Sequence, residues 1–597
     1  MPAQPSSLSP SPPGGGFLLE RAGERPILTP GDFTPEQREF YRAAHKFARE
    51  RVLASVDAIE RKDFAIVRRL LREAGELGFL SLDLPEEHGG LSQGMTTSVL
   101  VAEAMTVVGA WSVIFGAQVG IGSLPIVYFG NAAQKARFLP KLGTGEFAAA
   151  YALSEPSSAS DALAAKTRAA LSPDGKHWIL NGTKQWISNA GFADVFVVFA
   201  KVDGEHFSAF VVERNTPGFS VGPEEHKMGI RGSSTCPLVF EDAQVPFENL
   251  LGEVGKGHRI AFNILNIGRL KLGATCVAGC RNVLALSASY ARERKAFGRP
   301  IAEFGLVREK LARMASLAYV GEAMSYRTTG LIDRRVAAAG APTGSEASER
   351  DLIAAVEEYS VEASILKVWG SEALSDVADE GVQIHGGYGF VEEYPIERTY
   401  RDNRVNRIFE GTNEINRLLV PGTLLKRAVK GQFPLLALAK GVAQAVERGD
   451  LPAPSAGRLA RERRVAELNK MLWAYALGVA SQSLGPALGD RQEVLGALAD
   501  VAIEAYAVDS AVSRALQSRP DPVADACVAL YAEEAHPRAY ARARAAILAA
   551  AKESEASRPH LLRLRKLLDE EPGDVVSWRE AVVRPTLEEG RYPLGWT

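Results

Sequence analysis

Cysteine is scarce: four in 597 residues. That excludes a disulfide framework and fits a reducing compartment. Cys276 and Cys280 lie four apart on one helix face, but no His or further Cys stands near them. They read as core thiols rather than metal ligands. An excess of one charge is also missing. A net charge of −3 gives no basis for general nucleic-acid binding. No run of 18 or more apolar residues stands out, so no membrane-spanning helix is expected. The N-terminus, MPAQPSSLSPSPPGGG, has neither the basic and apolar regions of a secretory signal nor the Arg-rich amphipathic character of a transit peptide. The expectation is a cytoplasmic protein.

Several common catalytic signatures are absent too. There is no G-x-G-x-x-G after a strand and no P-loop. There is no H-E-x-x-H or CxxC, so metal-assisted hydrolysis has no support.

What the sequence does contain is a change of period. Residues 1–30 are Pro/Ser/Gly-rich at the start and read as a disordered tail. Thr34-Pro35-Glu36-Gln37 reads as a helix start, with Thr34 as N-cap and Gln37 three residues on. Helical patterning covers 31–150. From 151 to 252 the runs turn to β type: HWIL, Asn181-Gly182 read as a tight turn, TKQWIS, VFVVFAKV, FSAFVVER and PLVFEDAQV. Helices return over 253–428, and a further helical region covers 429–597. The fold class is mainly α with an inserted β domain and an extra C-terminal helical domain.

The candidate chemistry lies in loops. In RIFEGTNEI (407–415), Glu410 sits after an apolar pair and before Gly411. An acid near a helix start serves capping, and an acid in an apolar site serves as a base. HGGYGF (385–390) ends a helix, either as a plain terminator or as a close approach of backbone to a ligand. YALSEPSSASDALAAKT supplies Ser154, Ser157, Ser158 and Ser160, which suit a Ser-rich turn or a loop holding a polar ring or phosphate.

Eight blocks in order then resemble the acyl-CoA dehydrogenase family. They are YALSEPSSASD, LNGTKQWISNAGFAD, KMGIRGSSTCPLVFEDAQVP, LGEVGKG, RKAFGRPI, QIHGGYGF, EYPIERTYRD and IFEGTNEI, within about 34–420. The resemblance implies an N-terminal helical domain, a middle β-barrel and a C-terminal helical bundle, with FAD bound between barrel and bundle. By similarity, Ser154 and Ser188 bond the flavin ring and Trp186 lies against it. Ser160 stands near cofactor phosphate or substrate pantetheine. Arg294 and Phe297 reach the FAD of a neighbouring subunit. Gln383, Gly386 and Gly387 approach the dinucleotide, and Thr412 a phosphate. Gly268, Arg269 and Gly411 join Ser160 as substrate contacts. Where the family usually has E-P-x-A-G-S-D, this chain has Ala159 in place of Gly, a cost if that position needs positive φ.

The implied reaction is α,β-dehydrogenation of an acyl-CoA thioester, with Glu410 as base and flavin N5 as hydride acceptor. One branch of the family carries its base just before the Arg of the preceding helix; here NIGRL puts Gly268 there, leaving Glu410. The C-terminal extension resembles the very-long-chain branch. IFGAQVGIGSLP (114–125) offers small residues that deepen an acyl pocket or simply pack helices closely. The same likeness implies a homodimer that passes electrons to electron-transferring flavoprotein. It also implies peripheral contact with the inner membrane face, for which GRLARERRVAELNKMLWAYAL (457–477) is the candidate segment, read otherwise as a solvated amphipathic helix. An acyl-CoA oxidase and a non-enzymatic respiratory assembly scaffold are the alternatives.

Overall fold

The computed structural model describes residues 12–453, 456–551, 554–569 and 571–596. Helices come first. Thr34 caps Pro35–Phe47 reciprocally: its hydroxyl accepts the Gln37 N–H at 3.1 Å, and Gln37 Oε1 accepts the Thr34 N–H at 3.0 Å. Phe64–Glu76 buries Val67, Leu70, Leu71 and Ala74, a stripe at helical spacing. One span escaped the sequence reading: Gly109–Phe129 is long and apolar enough to cross a membrane. Of its most apolar window, 67% is buried inside the fold. It also breaks at Gly120, whose φ of −112° and ψ of −106° are not helical.

Eight strands then form one sheet. They are β1 (Ala149–Ala152), β2 (Arg168–Leu171), β3 (His177–Ser188), β4 (Val195–Val202), β5 (His206–Glu213), β6 (Phe219–Val221), β7 (Thr235–Pro246) and β8 (Leu250–Leu251). The hydrogen-bonded order is β6-β7-β3-β2-β4-β5-β8, with β1 parallel beside β4. β4 explains the unbroken apolar run VFVVFAKV. Val195, Val197 and Phe199 face the helical core, while Phe196, Val198 and Ala200 face the sheet's own core, so both faces are buried.

The turn expected at Asn181-Gly182 is not there. β3 runs straight through it with a bulge between Leu180 and Gly182. Gly182 has φ +146°, and a Cβ there would lie 2.6 Å from Thr167 Oγ1. The glycine therefore answers a close approach by Thr167, the residue just before β2, not a reversal. The reversal falls at Asp203-Gly204, both left-handed, between β4 and β5.

The bundle is built on two long helices, Gly257–Glu293 and Ser360–His385. They touch backbone to backbone. A Cβ on Gly370 would lie 2.7 Å from the Gly273 carbonyl oxygen, and one on Gly273 would lie 2.6 Å from Leu366 Cγ. Arg269 and Lys367 each sit about one turn from this crossing, so it aims both at one loop. Beyond Asn413–Val429 the chain adds the helices Leu435–Arg448, Ala460–Leu484, Gln492–Gln517, Pro522–Ala550, Ser554–Arg565 and Val575–Glu589.

Two expectations fail in this outer region. Residues 1–11 lie outside the described residues, but 12–30 do not form a loose tail. Phe17 and Leu18 are buried, and the Gly14 and Gly15 N–H groups donate to Glu358 at 2.7 Å and Glu362 at 2.6 Å. A few large apolar side chains and buried carboxylate acceptors outweigh the composition of the segment. The 457–477 segment is not free to meet lipid either. Its helix Ala460–Leu484 buries Val465, Leu468, Leu472 and Trp473. Arg461 pairs with Glu533 at 2.6 Å and Asp569 at 3.2 Å, and Arg464 also pairs with Asp569.

Candidate active site

Two consecutive left-handed residues make the loop that carries the candidate base. Glu410 has φ +58° and Gly411 +78°. Gly411 adopts this freely, but for Glu410 it costs about 1 kcal/mol. Bonds to the loop carbonyls hold it. Arg269 Nε donates to the Glu410 carbonyl at 3.2 Å, and Lys367 Nζ donates to the Gly411 carbonyl at 2.8 Å. Asn416 Nδ2 reaches the Gly411 and Thr412 carbonyls at 2.8 and 3.1 Å. The Thr412 hydroxyl accepts the Ile415 N–H at 3.3 Å as helix N-cap, leaving its proton and a second lone pair free for a ligand.

The side chain of Glu410 points inward. The residue is partly exposed, but its Oε2 is enclosed and has no hydrogen-bond partner. Gly268 makes the room: a Cβ there would lie 2.6 Å from Oε2 and 2.8 Å from the carboxyl carbon. Burial raises the carboxyl to about 7, while the nearby Arg269 and Lys367 charges oppose the rise. The Glu410 N–H finds no acceptor among the described residues.

Tyr151 faces the same space. Its buried hydroxyl has no partner, and the charges that act on it are Glu410 and Arg269. In the sequence Tyr151 opens the YALSEPSSASD block, with no local signal for a role. Gly116 and Gly120 border open space, since a Cβ on either meets no atom within 4 Å, whereas Gly122 is packed tight at 2.7 Å from Ala149 Cβ.

Three residues after Tyr151, the sheet supplies a second group. The Ser154 carbonyl accepts the Gln185 N–H at 2.9 Å, which seats the end of β1 against the bulge of β3 between Lys184 and Ile187. The bulge turns Trp186 outward, at φ +59° and 56% exposed, next to partly buried Ser188. Ser154 thus lies against the bulge that carries Trp186 and precedes Ser188. The following loop is held from inside by Glu155. It accepts the Lys166 N–H at 2.6 Å, the Thr167 N–H at 3.1 Å and Lys184 Nζ at 2.7 Å. Ser160 stays exposed on that loop, and Ala159 lies outside the left-handed region, so it carries no positive-φ strain.

A third group gathers elsewhere. Phe297 and Gly298, both left-handed, form the tip of a hairpin, and Phe297 is 96% exposed. Arg294 lies 5.4 Å from the Tyr388 ring, beside exposed Gln383, Gly386 and Gly387. No hydrogen bond or ring contact among the described residues ties this group to Glu410.

Family models match most of the chain. The acyl-CoA dehydrogenase N-terminal domain matches residues 34–146, the middle domain 150–243 and the C-terminal domain 255–425, and a second C-terminal domain model matches 468–566. A probable acyl-CoA dehydrogenase of Bacillus subtilis (strain 168) is 45% identical over 587 residues, covering 97% of this chain and 98% of that protein. The chain belongs to the acyl-CoA dehydrogenase family. The human mitochondrial very long-chain specific acyl-CoA dehydrogenase is 43% identical over 356 residues, 58% of this chain and 51% of that protein. The crystal structure of an acyl-CoA dehydrogenase complexed with FAD from Bacillus anthracis superposes with a TM-score of 0.94 at 45% identity, covering 97% of this chain and 99% of that one.

This acyl-CoA dehydrogenase is therefore a flavoprotein oxidoreductase with FAD as its cofactor. Its residues fit that group. Trp186 offers an exposed indole on the same bulge that seats Ser154 and leads to partly buried Ser188. Gly386 and Gly387 leave unobstructed backbone, with nothing within 4 Å of a Cβ placed on either. Beyond the predicted residues, Lys367, Tyr151 and Asn416 lie around Glu410, and the Glu155–Lys184 pair braces the neighbouring loop from inside. The one local signal for Lys367 was a lysine inside the apolar helical stretch SILKVWG.

Proposed function

We propose that this enzyme oxidises long-chain fatty acyl-CoA thioesters to trans-2-enoyl-CoA, the opening step of fatty acid β-oxidation, with Glu410 as base. The observation that carries this is the enclosed, unpartnered Oε2 of Glu410 beside Gly268. A carboxylate with an open lone pair and a pKa of about 7 is matched to removing a weakly acidic α-proton at neutral pH. As the α C–H breaks, negative charge grows on the thioester oxygen, and the free Glu410 N–H is a donor of the kind that stabilises it. When bound, FAD supplies the two-electron acceptor for the β-hydrogen. Tyr151 and the sheet close the site against water, which keeps the base desolvated.

The preference for long chains rests on Gly116 and Gly120, which leave space where larger side chains would end a pocket. Electron-transferring flavoprotein is the proposed electron acceptor. A homodimer is supported by the exposed apolar cluster of Phe297 (96%), Phe390 (84%), Leu306 (75%) and Tyr388 (45%). Arg294, Phe297, Gln383, Gly386 and Gly387 lie with that cluster, as residues serving a partner's cofactor would.

The test is anaerobic bleaching of the bound flavin by acyl-CoAs of increasing length. The proposal expects faster bleaching from about 14 carbons upward and slow reoxidation by air, with rapid reoxidation by electron-transferring flavoprotein. Best bleaching by four-carbon substrates overturns the length assignment, and fast reoxidation by oxygen overturns the acceptor.

A further inference from the structure

Lys367 is fully buried, yet nothing in the stated reaction uses it. It sits on Ser360–His385, one turn from the close crossing with Gly257–Glu293. Its Nζ makes two 2.8 Å hydrogen bonds, to the Gly411 carbonyl and to Asn413 Oδ1. Asn413 is itself gripped from the same helix, donating to Ser371 at 3.0 Å and Glu372 at 2.9 Å. The ammonium thus reaches the residue directly after the base.

A buried ammonium costs several kcal/mol of desolvation, so a helix under packing pressure alone would carry Met or Leu here. Its two acceptors show what it holds: the peptide that follows Glu410 and the first residue of the next helix. Arg269 holds the carbonyl one residue earlier from the opposite helix. Two cations from two helices pin adjacent carbonyls, and between them lie the left-handed pair Glu410 and Gly411.

We infer that Lys367 is a positioning residue for the base, fixing the Glu410–Gly411 backbone and placing a positive charge that keeps the Glu410 carboxylate available at neutral pH. This rests on Glu410 being the base.

The charged groups acting around it are few. Lys367 is lowered to about 8 by burial; Cys276, Glu410 and Glu372 oppose that fall, and Arg269 adds to it. Glu410 is raised by burial and lowered by Arg269 and then Lys367. Removing the ammonium leaves Arg269 as the one cation acting on Glu410, so its pKa must rise. Lys367 and Glu410 titrate in neighbouring ranges, so the pair is read through its macroscopic steps.

The experiment uses the FAD-loaded enzyme with K367M and K367R. Met matches the length of Lys without charge or donor; Arg keeps the charge. The first readout is infrared titration of the protonated carboxyl band, with E410Q as blank, in the absence of substrate. The second is single-turnover flavin reduction against pH. In K367M the carboxyl should titrate about one pH unit higher. Reduction at pH 7 should slow about 10- to 100-fold, the size expected from displacing or protonating a general base. K367R should keep the titration within a few tenths of a unit of wild type. Lowered stability with both titrations unmoved in K367M would overturn the inference, as would an equal upward shift in K367R. If E410Q reduces flavin as fast as wild type, the base assignment fails instead, and the infrared shift still reports on Lys367.

Discussion

Glu155 and Glu410 are both carboxylates drawn away from water, and the molecule treats them oppositely. Glu155 receives two backbone N–H bonds and the buried ammonium of Lys184. Burial pushes its pKa up, but those partners more than offset that and hold it below the ordinary carboxylate range. Glu410 has two cations nearby, but both spend their hydrogen bonds on backbone carbonyls and asparagine side chains and not on its carboxylate. One oxygen is left bare, and burial wins. A carboxylate with both oxygens hydrogen-bonded is a structural anchor. One that is enclosed with a lone pair free is a base.

The largest effect that sharpens this contrast is on rate. E410Q should slow flavin reduction by about 10³-fold or more while the flavin stays bound, because proton abstraction is lost and the fold is not. Stopped-flow reduction and the visible spectrum measure both. E155Q should do the reverse. It leaves Lys184 buried without its counter-charge, at a cost of about 3 kcal/mol of stability. Denaturant unfolding of the apoprotein should show that loss, and any surviving folded enzyme should reduce its flavin at near wild-type rate.

The two carboxylates also have opposite signs in stability against pH. The Glu410 pKa is raised to about 7, so the folded state holds a proton that the unfolded state has released. Its cost grows as pH rises from the ordinary carboxylate value to about 7 and is fully present above it. E410Q should therefore unfold at higher denaturant than wild type at pH 8, by about 1 to 3 kcal/mol, and show little gain at pH 5. Glu155 has a lowered pKa, so its stabilisation is present at neutral pH and fades as pH falls through the folded value.

Much of this was legible in the sequence, and the rest was hidden for identifiable reasons. Thr34 was readable as a cap because capping is local chemistry. Glu410, Trp186 and Ser154 were readable as a set because their blocks resemble a family in order. Asn181-Gly182 misled because Gly there answers a neighbouring strand, which a local turn rule does not see. Phe17 and Leu18 were hidden among Pro, Ser and Gly. Lys367 and Tyr151 were hidden because their partners lie 44 residues away for Lys367 and across the sheet–helix interface for Tyr151.

The smallest effect concerns chain length. Gly116→Leu puts a side chain into space that is open now, on a residue whose backbone (φ −62°, ψ −36°) is helical. It should cut turnover of a 16-carbon substrate relative to an 8-carbon one by about tenfold, the equivalent of roughly two displaced methylenes. Steady-state kcat/KM for the two substrates measures it.

The most direct test of the central claim is the pH dependence of single-turnover flavin reduction at saturating acyl-CoA. The account predicts a rate that climbs as Glu410 loses its proton, with a midpoint near 7. A rate flat from pH 5.5 to 9, or an E410Q enzyme with the same rate and profile, would contradict it.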